Sequence, residues 1–224
     1  MKNKIITLSK MFLENCSPRY SEYVTSKYWN NTTKTHSDIS DNAFNFYYEE
    51  IRKFISPENN EDILDYGCGS AEISFLFQRN GYRIDCCDIS NNLVEKAKKV
   101  GLNAYHCNEI LNDNKKYNKI FMNNAFFYIH PFNREKFLFN MFNKLKDKGT
   151  FFVLDEPDHN KRNKLKMNKI HYMLTNFLPI YQIESAGFFD NPQKMKQHGI
   201  KVGFTNVIIA DSWCDYRSHF IFKK

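Results

Sequence analysis

The chain has 224 residues, 42% of them apolar and 25% charged, with a formal net charge of +7 and a pI near 9.0. That length fills one α/β domain with its own core, and no apolar run approaches the roughly 18 residues of a membrane span. The lysines are spread along an Asn- and Lys-rich sequence, which argues against a dedicated polyanion-binding face.

The first stretch, "MKNKIITLSKMFLENC", opens like a secretory leader, but Ser9, Lys10 and Glu14 interrupt its apolar part and no small-residue cleavage site follows. It reads as an amphipathic helix. Aromatic-rich helical segments follow over "SEYVTSKYWNN" and, with Asp41 as N-cap, "NAFNFYYEEIRKFI", which stops near Pro57. "ILDY" (63–66) is a short buried strand. Gly67 and Gly69 then turn the chain tightly into a helix from Ser70, with Ile73, Phe75, Leu76 and Phe77 available to the core.

Beyond the turn, strands and helices alternate. "YRIDCCD" (82–88) is a strand, and the helix "NNLVEKAKKV" is capped by Ser90 and ended by Gly101. "LNAYHC" and "YNKIFMNN" are strands three and four, "NREKFLFNMFNKLKDK" is a helix with one apolar face, and "GTFFVLDE" is strand five. A basic helical stretch over 158–175 and a helix near 191–199 precede "TNVIIADSW" and "YRSHFIFKK". Only Cys214 and Asp215 separate those last two, so they pair antiparallel.

The pattern predicts an α/β fold: a doubly wound, mostly parallel sheet with a C-terminal antiparallel hairpin and a helical N-terminal extension. One domain spans 1–224, with a helical cap or lid over 1–57, a cofactor-binding core over 58–155, an acceptor-site insert and helix over 156–200, and the hairpin over 201–224. Six cysteines, Cys16, Cys68, Cys86, Cys87, Cys107 and Cys214, form neither CxxC pairs nor a His/Cys cluster. They read as reduced thiols of a cytoplasmic protein that binds no metal.

In open α/β sheets ligands bind beyond the carboxyl ends of the strands. Strand one ends in Asp65 and the glycine turn, and strand two in Asp88, at the spacing where an acid takes both hydroxyls of a ribose. The dinucleotide fingerprint needs a third glycine beside the pyrophosphate, and Glu72 stands in that place. A carboxylate is electrostatically wrong there, which favours S-adenosylmethionine (SAM), a nucleoside without phosphate, over NAD.

"ILDYGCGSAEISFLFQRNGYRIDCCDIS" resembles the cofactor region of class I SAM-dependent methyltransferases, over roughly residues 60–155. Asp65-Tyr66-Gly67-Cys68-Gly69 meets the family's acid-x-Gly-x-Gly pattern, and the hairpin agrees with its seven-stranded sheet. Lys148-Gly149-Thr150 replaces the usual Pro-Gly-Gly turn before strand five. The resemblance implies that Gly67 and Gly69 pass under the methionine and ribose, that Asp65 lies near the amino group, and that Asp88 binds the ribose with Ile89 against the adenine. It further implies Asn108 or Glu109 at the adenine amine and Asn124 at the methionyl part.

The methyl acceptor is read from what is present and missing around that core. Asn124-Ala125-Phe126-Phe127 lacks the two prolines of amino-methylating nucleic-acid enzymes, and no cysteine follows a proline as a cytosine-C5 nucleophile requires. A hydroxyl acceptor needs a base, for which His130 and His159, beyond strands four and five, are the candidates, with Tyr128 and Glu156 behind them. Tyr20, Tyr23, Tyr28 and Trp29 resemble the lid of small-molecule members. Lys161, Arg162, Lys164 and Lys166 fall where an insert shapes the acceptor pocket, so an anionic acceptor is expected: a phosphorylated or nucleotide-linked sugar or another precursor in surface-polysaccharide biosynthesis. The alternatives are a tRNA, rRNA or protein methyltransferase and a noncatalytic SAM-binding module.

Overall fold

Apolar runs bounded by turn residues become the strands of one sheet. In the computed structural model, which describes residues 13, 16–31, 41–164, 182–183 and 187–224, these are β1 (Asp62–Tyr66), β2 (Arg83–Asp88), β3 (Asn103–His106), β4 (Tyr117–Asn123), β5 (Leu145–Pro157), β6 (Asn206–Asp211) and β7 (Arg217–Lys223). The seven strands lie in the order β3-β2-β1-β4-β5-β7-β6. The first five are parallel, and β7 inserts antiparallel between β5 and β6. The order departs in both directions from β1, so a crevice opens beyond the carboxyl ends of β1 and β4.

Helices cover both faces, as a central parallel sheet requires. They are α1 (Pro18–Asn31), α2 (Asp41–Ile55), α3 (Glu72–Arg79), α4 (Asn91–Lys99), α5 (Cys107–Asn112), α6 (Arg134–Lys144) and α7 (Pro192–Val202). On one face Tyr48, Ile51 and Ile55 of α2 cluster with Ile63, Phe77, Phe121 and Phe152. On the other, Leu138 and Met141 of α6 and Met195 of α7 cluster with Leu64, Ile120, Phe151 and Phe222. Ser90 caps α4 by accepting the Leu93 N–H at 3.4 Å, and Gly101, at φ 84°, turns the chain after it.

Local chemistry moved several expected boundaries. Strand three stops at His106 because the His106 and Glu109 side chains close a capping box that starts α5. The expected basic helix is a 3-10 helix over His159–Lys164; its remainder, with Lys166, lies outside the described residues, as does most of the leader-like N-terminal stretch. The link between β6 and β7 runs over Ser212–Tyr216, longer than the two residues expected. Gln182–Ile183 and Gly187–Phe188 form a separate small antiparallel pair.

All six cysteines are free thiols, and among the described residues no His/Cys/Asp/Glu group could hold a metal ion. Among those residues, too, no helix is long and apolar enough to cross a membrane.

Candidate cofactor and acceptor site

The glycine turn hangs from strand two. The N–H groups of Gly67 and Cys68 both donate to the Cys87 carbonyl, at 2.8 and 3.0 Å. Gly67 has φ 81°, and a Cβ there would come within 2.8 Å of Ala125 Cβ, so both the conformation and the space demand glycine. Asp88 braces the loop from the side: Oδ2 accepts the Gly69 N–H and Oδ1 the Ser90 N–H, each at 2.9 Å. Ser74, in the first turn of α3, donates to Asp65 Oδ2 at 2.6 Å.

These acids are buried. Burial pushes the Asp65 carboxyl up to about 7, against the pull of the Ser74 bond. The Asp88 carboxyl is also raised by burial, with the loop N–H groups acting the other way. Asn123 Oδ1, at the end of β4, is buried with no hydrogen-bond partner. Strand three contributes His106, whose Nδ1 accepts the Asn108 N–H at 3.2 Å and whose Nε2 lies 3.1 Å from the Ile89 carbonyl. Glu109 is spent on the cap, accepting the His106 N–H at 3.1 Å; Asn108 is the member of that pair that lines the cavity.

A cavity of about 1190 Å³ runs from Asp88, Ile89 and Asn108, past Asp65, Gly67, Gly69 and Asn124, to Asp155, Trp213 and Arg217. That is larger than the roughly 300–1,000 Å³ of a typical single-ligand pocket. Helices α1 and α2 contribute Tyr23, Trp29 and Tyr47 to its wall. Helix α1 is held onto the α4 region by Ser90 Oγ donating to the Trp29 carbonyl at 3.1 Å and Asn92 Nδ2 to the Asn30 carbonyl at 2.6 Å. Trp29 meets the Tyr128 ring edge-on at 5.5 Å. Of the four expected lid aromatics, Tyr20 and Tyr28 are outside the lining.

The expected catalytic groups separate. His130 and Tyr128 line the cavity. His130 is buried, and its Nδ1 accepts the Phe132 N–H at 3.2 Å, so the neutral ring carries its proton on Nε2. Burial pushes the Tyr128 hydroxyl up to about 12. His159 lies outside the lining: its Nε2 is 2.7 Å from Arg162 Nη1, and burial and Arg162 lower its pKa. Glu156 is fully buried and also outside it.

The basic segment is placed elsewhere too. Lys161 pairs with Asp211 at 2.6 Å and donates to the Arg217 carbonyl at 3.0 Å, and none of Lys161, Arg162 and Lys164 lines the cavity. In their stead stand Asn123, Asp155 and Arg217. No local pattern marks these three; Arg217 arrives because β7 runs antiparallel beside β5, with Arg217 opposite Pro157 and Ser218 opposite Glu156.

Residues 41–207 match a family profile described as a methyltransferase domain. The chain belongs to the class I SAM-dependent methyltransferases. No curated protein matches this methyltransferase in sequence. Solved structures share its fold at low identity. A SAM-dependent methyltransferase from Archaeoglobus fulgidus superposes with a TM-score of 0.60 at 14% identity, over 81% of this chain and 94% of that one. Magnesium protoporphyrin IX methyltransferase from Synechocystis PCC 6803, crystallised with S-adenosylhomocysteine (SAH), gives 0.63 at 12%, over 91% and 99%. Geranyl diphosphate C-methyltransferase from Streptomyces coelicolor A3(2) gives 0.58 at 11%, over 91% and 97%.

The cofactor is SAM, and the donor set of the methyltransferase fits it. The buried Asp65 carboxyl and the orphaned Asn123 Oδ1 supply acceptors for an ammonium group, and each Asp88 oxygen keeps a lone pair for a ribose hydroxyl.

Proposed function

We propose that this methyltransferase methylates an oxygen of a small, negatively charged acceptor, with phosphorylated or nucleotide-linked sugars and other surface-glycan precursors as the acceptor class. One observation carries the reading: the cavity continues past the glycine loop and Asn124 to Tyr47, Phe127 and Trp213, with Asp155 and Arg217 beside them. The side chains of α1 and α2 in its wall favour a small molecule over a nucleic acid or protein chain.

When bound, SAM supplies a methyl group activated by its sulfonium. The chain's own part is to hold the cofactor through Asp65, Gly67, Gly69, Asp88, Ile89, Asn108 and Asn124, to align the acceptor oxygen, and to keep water out with Trp29 and Tyr128. A hydroxyl must also lose its proton. His130 can take one at Nε2 only by giving up the bond from the Phe132 N–H, and Tyr128 is protonated near neutrality. In this proposal the proton therefore passes to Asp155, a cavity carboxylate whose Oδ1 accepts the Ser212 hydroxyl at 2.5 Å. His130 and Tyr128 orient the acceptor, and His159 has no part.

The test offers sugar phosphates, nucleotide sugars and tRNA to the protein with SAM and follows SAH release. Turnover on a sugar phosphate or nucleotide sugar, lowered about 10²-fold or more by Asp155→Asn at nearly unchanged SAM affinity, is the expected result. Turnover confined to tRNA overturns the acceptor assignment, and so does SAM binding without turnover on any of the sugar substrates.

A further inference from the structure

We propose that the side-on edge of the Arg217 guanidinium, formed by Nε and Nη2, is the fork that receives a carboxylate or phosphate of the methyl acceptor. The proposal rests on the reading of a small anionic acceptor and names its anchor. Arg217 opens β7, is only 7% exposed, and stands in the cavity wall. Its guanidinium carbon lies 5.2 Å from the centre of the Phe127 ring and 5.0 Å from that of Tyr216, within cation–π range of both.

Among the described residues the bonds from Nη1 go to Asn124 Oδ1, to the Asp155 carbonyl at 2.7 Å and to Asp155 Oδ2 at 3.3 Å, and the Tyr216 hydroxyl also acts on the guanidinium. Nε is buried and has no partner. A guanidinium can make parallel pairs of N–H···O bonds along its end or along its side. The Nη1 bonds occupy the end, which leaves the side.

A second donor in this wall is also left over. Trp213 Nε1, in the same cavity wall, is also buried without a partner. Buried donors left unpaired are rare in folded proteins, and two at one end of a cavity mark a place for oxygen atoms. Asp65 and Asp88 stand on β1 and β2, separated from β5 and β7 by β4, so the acids of the glycine turn and these two donors occupy different parts of the cavity wall. Asp155 already balances the charge of Arg217 through Nη1, so the fork contributes direction more than net charge. Tyr47, Phe127 and Trp213 add flat apolar surface beside it, which selects an oxyanion carried on a ring.

The test uses the full chain saturated with SAH and three probes that share one ring: benzoate, phenyl phosphate and uncharged benzyl alcohol, titrated by calorimetry. The expected result is that benzoate or phenyl phosphate binds at least about tenfold more tightly than benzyl alcohol. Arg217→Lys, which keeps the charge and loses the fork, then weakens that anion about tenfold, and Arg217→Gln abolishes its binding, while SAH affinity changes by less than about threefold. The preferred anion assigns carboxylate or phosphate. Should Arg217→Gln fail to fold, the Nε–H resonance of Arg217 in the unmodified protein, assigned by its loss in Arg217→Lys, moves on adding the anion and stays in place with benzyl alcohol. Equal binding of charged and uncharged probes, anion binding unchanged in Arg217→Lys, or no binding of either anion overturns the proposal. Failure of the unmodified protein to bind SAH, read in a separate titration, would strike the methyl-transfer reading instead.

Discussion

Ser74 Oγ donates a hydrogen bond to Asp65 Oδ2 at 2.6 Å, tying helix α3 to the acid near the end of β1 across the glycine turn. The bond stabilises the ionised carboxylate, yet burial outweighs it and holds the pKa up at about 7. The loop is therefore built around an acid that titrates near neutrality in the free protein.

Cofactor affinity should follow that titration. The ionised carboxylate attracts the α-ammonium of SAM and the neutral acid does not, so SAM affinity measured by calorimetry weakens as pH falls below about 7. Asp65→Asn binds more weakly and without that dependence. In the free protein the sign is opposite: the folded acid keeps its proton to about 7 and the unfolded one only to about 3.8. The stability it contributes is full below about pH 4 and is lost as pH rises through 7.

His219 acts on the acid side. Its Nδ1 accepts the Asp155 N–H at 2.9 Å, and burial, with Lys161 adding to it, pushes the ring down to about 4 from its ordinary 6.5. Its stabilising contribution is present above 6.5 and is lost as pH falls through 4. Thermal melts between pH 7 and pH 4 should show a shallower decline for His219→Asn than for the unmodified protein.

Asp88→Ala should remove most of the rise in melting temperature that SAM and SAH produce, while NAD produces none in either protein. The same change leaves the Gly69 and Ser90 N–H groups without their acceptor and costs the free protein about 1–3 kcal/mol, read from denaturant melts. Loss of stability with the SAH shift intact would separate Asp88 from the cofactor.

Gly199 tests the fold apart from the site. A Cβ there would come within 2.6 Å of Val207 Cγ2 and 2.8 Å of the Phe222 ring, where α7 crosses the hairpin. Gly199→Ala is expected to destabilise by about 1–3 kcal/mol, with SAH affinity unchanged.

Neutralising Lys161, Arg162 and Lys164 together should leave SAH affinity and the Michaelis constant for the acceptor within about twofold, since Lys161 pairs with an exposed Asp211 and the cavity is lined by other groups. A large rise in that constant would return the segment to the acceptor site.

Much of the core was legible because its signals are local. The strand periods, the Gly67 and Gly69 turn, the Ser90 cap and Asp88 at the end of β2 depend on neighbours a few residues away, so they survive in the one-dimensional pattern. The early end of strand three was hidden because a histidine, outside the usual capping residues, takes the cap of α5. His130 and His159 both follow strand ends and looked equivalent. Only His130 lines the cavity, because after Pro157 the chain turns aside, with the Asp190 N–H donating to the Pro157 carbonyl and the His159 N–H to the Asp190 carbonyl.

By itself the sequence determined the family, the glycine turn and the parallel core with its terminal hairpin, since periodicity and turn chemistry specify each element from within. Tertiary structure alone decided the other end of the cavity. Arg217 and Asp155 lie 62 positions apart and meet because β7 enters antiparallel beside β5, which carries the first residue of the last strand to the carboxyl ends of the others. No window along the chain holds both, and an arginine among aromatics has no periodic signature. Its role comes from the two rings it packs against, the edge that Nη1 has already committed and the Nε left buried without a partner.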